Sequence, residues 1–203
     1  MILSLFCYFR AMNFIKQLFC LTIIISLFTA CTKESNVFDP IAQFESEKPI
    51  IKSYVNSNYP EMTLNDTTGI WFEIVDEGMP NSYEYKVVDT TNMYGQTVKA
   101  LRMPTITVRY TGKLISDNSV FDSNTTTAGL TSKLNNLIGA WQLAFIPKDI
   151  GEFKFGGLTP SGLQIGSKIR IVTPSYYGYG ASQQGKIPAN SPLFFEIEVV
   201  NIK

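Results

Sequence analysis

The sequence predicts an α+β domain, one short helix packed across a face of a twisted antiparallel sheet, with a helical extension on its N-terminal side. Three observations carry this. Segments 69–78, 105–115, 168–174 and 193–202 read as strands, bounded by Gly and Pro and rich in β-branched and aromatic residues;. In that half, only "LIGAWQLAF" (137–145) reads as a helix. Upstream, Ile41, Phe44, Ile51, Tyr54 and Val55 fall near helical spacing;. Many strands with one short helix define the α+β class.

The length of 203 residues, 45 % of them apolar, fits one domain with appendages;. Seventeen basic and seventeen acidic residues give no basic field, which argues against a nucleic-acid partner;. Histidine is absent. That excludes Ser-His-Asp and Cys-His nucleophile systems and every histidine-containing metal site.

In chain order, "MNFIKQLFCLTIIISLFTAC" (12–31) opens with Lys16, continues as an apolar run from Leu18 to Phe28, and ends Thr29-Ala30-Cys31. The run is too short to span a bilayer core of about 30 Å. It resembles a signal peptide ending in a bacterial lipoprotein box, with residues 1–30 removed, Met12 as the better start and Cys31 carrying the lipid;. Phe28 stands where such boxes usually have Leu. A plain secretory signal or an uncleaved anchor helix is the alternative reading. Acyl chains on Cys31 would hold the protein at a lipid bilayer. Thr32 follows the cysteine, so the Asp that often marks inner-membrane retention is missing. The expectation is an outer-membrane lipoprotein with its domain in the periplasm or at the cell surface.

Residues 31–48 are assigned to the lipidated cysteine and a tether, of which "TKESNVFDP" (32–40) is polar and without period;. Pro49 interrupts the helical spacing, so a short helix is expected from Pro49 to Asn56 within an extension covering 49–65;. The domain proper is 66–203. It starts with "GIWFEIVDEG" (69–78), continues through a hairpin turning near Tyr94-Gly95, and closes on "LFFEIEVVNI" (193–202).

Four blocks in order, "VRYTGKLISDNSVFDSN" (108–124), "LIGAW" (137–141), "LQIGSKIRIVTPSYYGYG" (163–180) and "KIPANSPLFFEIEVV" (186–200), resemble the FKBP-type peptidyl-prolyl cis-trans isomerases, the immunophilin class that binds macrolides. With the lipoprotein box and the helical stretch, the chain is further similar to lipoprotein forms from Bacteroides-type bacteria. The resemblance implies a sheet wrapped around one short helix. It also implies a pocket with Trp141 as the floor for a substrate proline ring and Tyr110, Phe121, Leu137, Ile138, Ile187 and Phe195 as walls. Tyr179 would donate its hydroxyl to a substrate carbonyl, and Asp122 would be the charged group at the pocket, orienting Tyr110 or polarising the rotating amide. Tyr176 and Tyr177 are assigned to packing or rim. The implied partners are proline-containing polypeptides and a macrolide ligand.

The residue types suit that reaction. An X-Pro bond rotates over a barrier of about 18–20 kcal/mol because twisting destroys amide resonance. Uncatalysed, this takes roughly tens to hundreds of seconds. No covalent bond to protein, metal or cofactor is required. The twisted state loses the charge separation of the planar amide, so an apolar, water-poor pocket favours it.

Three departures from the family pattern stand out. "TTTAGLTSKLNN" offers Ala128 and Leu130 where a wall aromatic is usual, which predicts a thinner wall. "QLAFIPKDIGEFKFGGLTPSG" (142–162) is an insertion, expected to turn at Gly156-Gly157 and to form a lid or a partner surface. Lys186 sits beside Ile187 where an aliphatic is common. A non-catalytic binding or chaperone module is the alternative these departures leave open.

Overall fold

The computed structural model describes residues 39–203. Helix α1 spans Pro40–Asn58. It is followed by β1 (Thr63–Asn65), β2 (Ile70–Asp76), β3 (Val87–Thr91), β4 (Thr97–Leu101), β5 (Thr105–Leu114), β6 (Val120–Asn124) and β7 (Leu130–Lys133). Then come helix α2 (Gly139–Phe145), β8 (Asp149–Ile150), β9 (Phe153–Lys154), β10 (Lys168–Thr173) and β11 (Leu193–Ile202). The main sheet is antiparallel and runs β1-β2-β10-β11-β5-β6, with β7 also pairing β5. β5 therefore holds β7 through Thr105–Val108 and β6 through Tyr110–Lys113, with a register shift at Gly112/Lys113. The expected strands appear close to their expected bounds, and the β3–β4 hairpin turns at Asn92–Gln96. β1, β6, β7, β8 and β9 are additional.

Alternation along the central strands gives the sheet two buried faces. Ile169, Ile171, Phe195 and Ile197 enter one core with Ala140, Ala144 and Phe145 of α2. Val172 and Phe194 point the other way and meet Ile51, Tyr54 and Val55 of α1. The helix expected from Pro49 to Asn56 thus begins earlier, at Pro40, and takes in half of the 31–48 stretch assigned to the lipidated cysteine and tether. Asp39 caps it, its Oδ1 accepting from the amides of Ile41 at 2.9 Å and Ala42 at 3.2 Å, with Pro40 pre-set for the first turn;. Pro49 lies inside the helix and is exposed. An interior proline costs a helix about 3 kcal/mol. Burial of Ile51 and Val55 against Val172 and Phe194 outweighs it, since each large apolar side chain taken from water is worth about 1.5–3 kcal/mol;.

The 142–162 segment finishes α2 and then forms the β8–β9 hairpin, whose turn is Gly151-Glu152 rather than Gly156-Gly157. Gly157 is instead buried against Ile146. A Cβ there would lie 1.9 Å from the Ile146 carbonyl oxygen, so only glycine lets the two backbones approach;. Cys31 and the segment before it lie outside the described residues.

Candidate binding cleft

Each side of the cleft follows from an element already placed. β5 presents Tyr110, β6 presents Phe121 and Asp122, β7 presents Leu130, and β11 presents Phe195. A 3-10 turn at Leu134–Asn136 leads into α2 and brings Asn136, Leu137, Ile138 and Trp141 to the opposite side. The loop after β10 supplies Tyr179. Together these line a concavity of about 250 Å³.

The aromatic rings meet edge to face. Trp141 lies 5.0 Å from Tyr110 and 5.5 Å from Phe195 between ring centroids, and Phe121 lies 5.6 Å from Phe195. This geometry aligns positive ring edges with negative faces. Trp141 is buried, and its indole Nε1 has no hydrogen-bond partner. Gly112 makes the wall possible, because a Cβ there would lie 2.5 Å from Phe121 Cζ and 3.0 Å from Phe195 Cε1. β5 must be bare at this point for Phe121 to lie across it.

The polar groups gather at the rim. The Tyr110 hydroxyl donates to Asp122 Oδ2 at 2.5 Å, a charge-assisted contact that fixes the phenol;. Burial, and then the Asp122 hydrogen bond and charge, push the Tyr110 hydroxyl well above the usual tyrosine range. Burial and the Asp122 charge raise Tyr179 as well. Both phenols therefore stay protonated and able to donate. No protein group among the described residues accepts from the Tyr179 hydroxyl, which leaves that donor free for a bound molecule.

The structure gathers Tyr110, Phe121, Asp122, Leu137, Ile138, Trp141, Tyr179 and Phe195 around one concavity. Ile187 is not among its lining; it is 5 % exposed and belongs to the core behind it. Its backbone bridges to Gln184, which turns the side chain inward. Leu130 and Asn136 also line the cleft. Leu130, one of the two residues that stand where a wall aromatic is usual, is brought there by its pairing opposite Val108. Asn136 precedes the Leu137-Ile138 pair, and its position at the end of a 3-10 turn carries no sequence signature.

No residue of the 142–162 segment lines this concavity. The expected lid is absent from the described structure. Leu158 to Gly162 of the segment line a different hollow of about 310 Å³, whose polar side chains Gln164 and Ser167 are engaged with Tyr83, Ser82 and the Glu77 carbonyl. None of the residues that the resemblance assigns to the site lines that hollow, so it is not the candidate site. Tyr176 is exposed and stacks edge-on against Tyr177 at 4.9 Å, outside the cleft.

A short helix across an antiparallel sheet, with an aromatic-floored cleft between them, defines an FKBP-like fold. A sequence model of the family described as FKBP-type peptidyl-prolyl cis-trans isomerase matches residues 96–200. The chain belongs to this family. It is 35 % identical over 111 residues to FK506-binding protein 4 of Candida glabrata, covering 54 % of this chain and 24 % of that protein. It is 34 % identical over 100 residues to the FKBP-type peptidyl-prolyl cis-trans isomerase FkpA of Buchnera aphidicola, covering 48 % of this chain and 33 % of the relative. The matched region is thus a third or less of these relatives' length. Among solved structures, FkpA from Escherichia coli superposes with a TM-score of 0.53 at 21 % identity, covering 90 % of this chain and 71 % of the other. A peptidyl-prolyl cis-trans isomerase from Pseudomonas syringae gives 0.51 at 22 % identity, covering 83 % and 99 %. These two share the fold.

Proposed function

We propose that the chain accelerates cis-trans rotation of X-Pro bonds in exported polypeptides, tethered to a membrane through a lipid on Cys31. The observation that carries the catalytic part is the aromatic cleft itself, with Trp141 at its base, the Tyr110–Asp122 pair fixed at its rim and an unengaged Tyr179 hydroxyl beside them.

A proline ring seated on Trp141 between Tyr110, Phe121 and Phe195 loses its water;. The planar amide, with charge drawn onto its oxygen, is solvated less well there than in water, and the twisted amide suffers less from the transfer. Tyr179 holds a carbonyl flanking the rotating bond, which fixes one half of the chain while the other turns. Asp122 acts through Tyr110, accepting from its hydroxyl and holding the phenol in place as a wall. No proton transfer is needed.

The tether rests on the run from Lys16 to Cys31, and macrolide binding on the family and on the names of the FK506-binding relatives. The test is an NMR-exchange assay of X-Pro peptides with the chain, Asp122→Ala and Tyr179→Phe. Acceleration that falls at least tenfold in both variants and is blocked by a macrolide supports the reading. A folded protein that accelerates no X-Pro sequence refutes it and leaves a binding module. For the anchor, labelled fatty acid incorporated into the chain and lost in Cys31→Ser is the expected result; equal labelling of both refutes it.

A further inference from the structure

Glu47 is 1 % exposed in the middle of α1. Glutamate is seldom buried this deeply unless it is paired, yet no lysine or arginine among the described residues pairs with it;. Its carboxyl is held by neutral donors. Oε1 accepts from Gln43 Nε2 at 2.7 Å and from the Ser175 hydroxyl at 2.5 Å, and Oε2 accepts from the Ser175 amide at 2.8 Å.

Ser175 opens the 3-10 turn Ser175–Tyr177 and is itself buried. Its carbonyl accepts from the amides of Gly178 at 2.9 Å and Gly180 at 2.8 Å. Those two glycines flank Tyr179. Every polar group of Ser175 is therefore committed: the amide and hydroxyl to Glu47, the carbonyl to both neighbours of the cleft's free phenol. Glycines on either side leave Tyr179 little local stiffness of its own, so its aim depends on where Ser175 is held.

We infer that Glu47 is a positioning residue for the isomerase site: it clamps Ser175 and through it sets the Tyr179 hydroxyl at the cleft. This rests on the reading of Tyr179 as a donor to substrate. It makes α1 a working part of the site rather than an appendage. A glutamate that merely bolted α1 to the domain would affect stability and leave no trace specific to Tyr179.

The test separates these with the full chain and a two-by-two set: wild type, Glu47→Gln, Tyr179→Phe and both together. The carboxamide keeps the shape but turns one acceptor into a donor facing Ser175 or Gln43. Glu47→Gln is expected to lower kcat/KM about tenfold beside an intact Tyr179 and less than about twofold in the Tyr179→Phe background, the non-additivity of residues acting as one unit. Equal losses in both backgrounds, or a lowered melting temperature with unchanged kcat/KM, would overturn the inference. If Glu47→Gln does not fold, Ser175→Ala serves in the same cycle, since it removes the hydroxyl and keeps the amide donor. A readout free of turnover is the ¹⁹F resonance of fluorotyrosine at position 179, assigned by its loss in Tyr179→Phe. A shift or broadening of that line in Glu47→Gln supports the clamp even if the wild type proves inactive, and an unchanged line overturns it.

Discussion

Gly112→Ala probes the cleft wall by adding a single methyl group. The new Cβ would stand 2.5 Å from Phe121 Cζ and 2.7 Å from Cε2. Carbon atoms prefer about 3.5–4.0 Å, so the Phe121 ring must retreat by about 1 Å. Phe195 cannot share the movement, being 3 % exposed and edge-on to both Phe121 and Trp141. Phe121 is only half-buried and yields into the cleft or toward solvent. Overpacking of this kind costs about 1–3 kcal/mol, here toward the lower end because the ring has somewhere to go. Replacing glycine inside a strand returns about 0.5–1 kcal/mol. The net loss of stability is then about 1 kcal/mol, a few degrees in Tm. Activity is hit harder, because a wall displaced by about 1 Å disturbs the bound geometry by up to about a hundredfold. Exchange NMR should show kcat/KM falling about 10- to 100-fold while denaturant unfolding shifts only slightly. Truncating the ring in Gly112→Ala/Phe121→Leu should relieve the clash and restore stability. Unchanged kcat/KM together with unchanged stability would refute the account of Phe121 as a wall lying on a bare Gly112.

Two other changes follow from the structure. Pro49→Ala restores a backbone donor inside α1 at an exposed position and should stabilise the protein by about 1–3 kcal/mol, read as a rise in the denaturant midpoint; a fall would mean that Pro49 contributes packing of its own;. Burial, followed by the neighbouring Tyr59 phenol, pushes Tyr54 up to about 12, and its hydroxyl donates to Asn118 Oδ1 at 2.8 Å. A phenol that holds its proton more tightly when folded contributes stability that is fully present below the unfolded value of about 10 and is lost as pH rises through about 12. Unfolding free energy should therefore fall between these pH values, and less steeply in Tyr54→Phe; parallel curves for the two proteins would contradict the assignment.

Much of the sheet was legible because period-two alternation survives in β2, β5, β10 and β11, which bury one or both faces;. The short strands β6 and β7 were not, since each is held by pairing to the long β5 rather than by a pattern of its own. The first half of α1 was hidden by Pro49, whose local penalty is overridden by packing on Val172 and Phe194, far along the chain;. The turn of the 142–162 segment was misplaced because two adjacent glycines suggest a turn, whereas Gly157 is required for a close backbone approach. In the cleft, the aromatic residues stood within ordered blocks. Leu130 and Asn136 are ordinary residue types brought in by strand pairing and a 3-10 turn, and Ile187 occupies a matching position but turns into the core.

The two faces of the sheet bear on each other through the same strands. Val172 pairs with Phe194, and both point to α1; their sequence neighbours Ile171 and Phe195 also pair, and both point to the core beneath the cleft. Phe195 reaches Trp141 and Phe121 on that side, while Phe194 stacks on Tyr59 at 4.7 Å on the other. Because alternation fixes the two sets to opposite faces, a slip that misplaced one set would misplace the other. Docking of α1 on the back therefore selects the register that builds the cleft wall on the front. The loop leaving β10 is held in the same way, with Ser175 fastened to α1 and Tyr179 delivered to the cleft four residues later. The N-terminal helix and the cleft are in this sense one structure, joined by the β10–β11 pair and the turn between them.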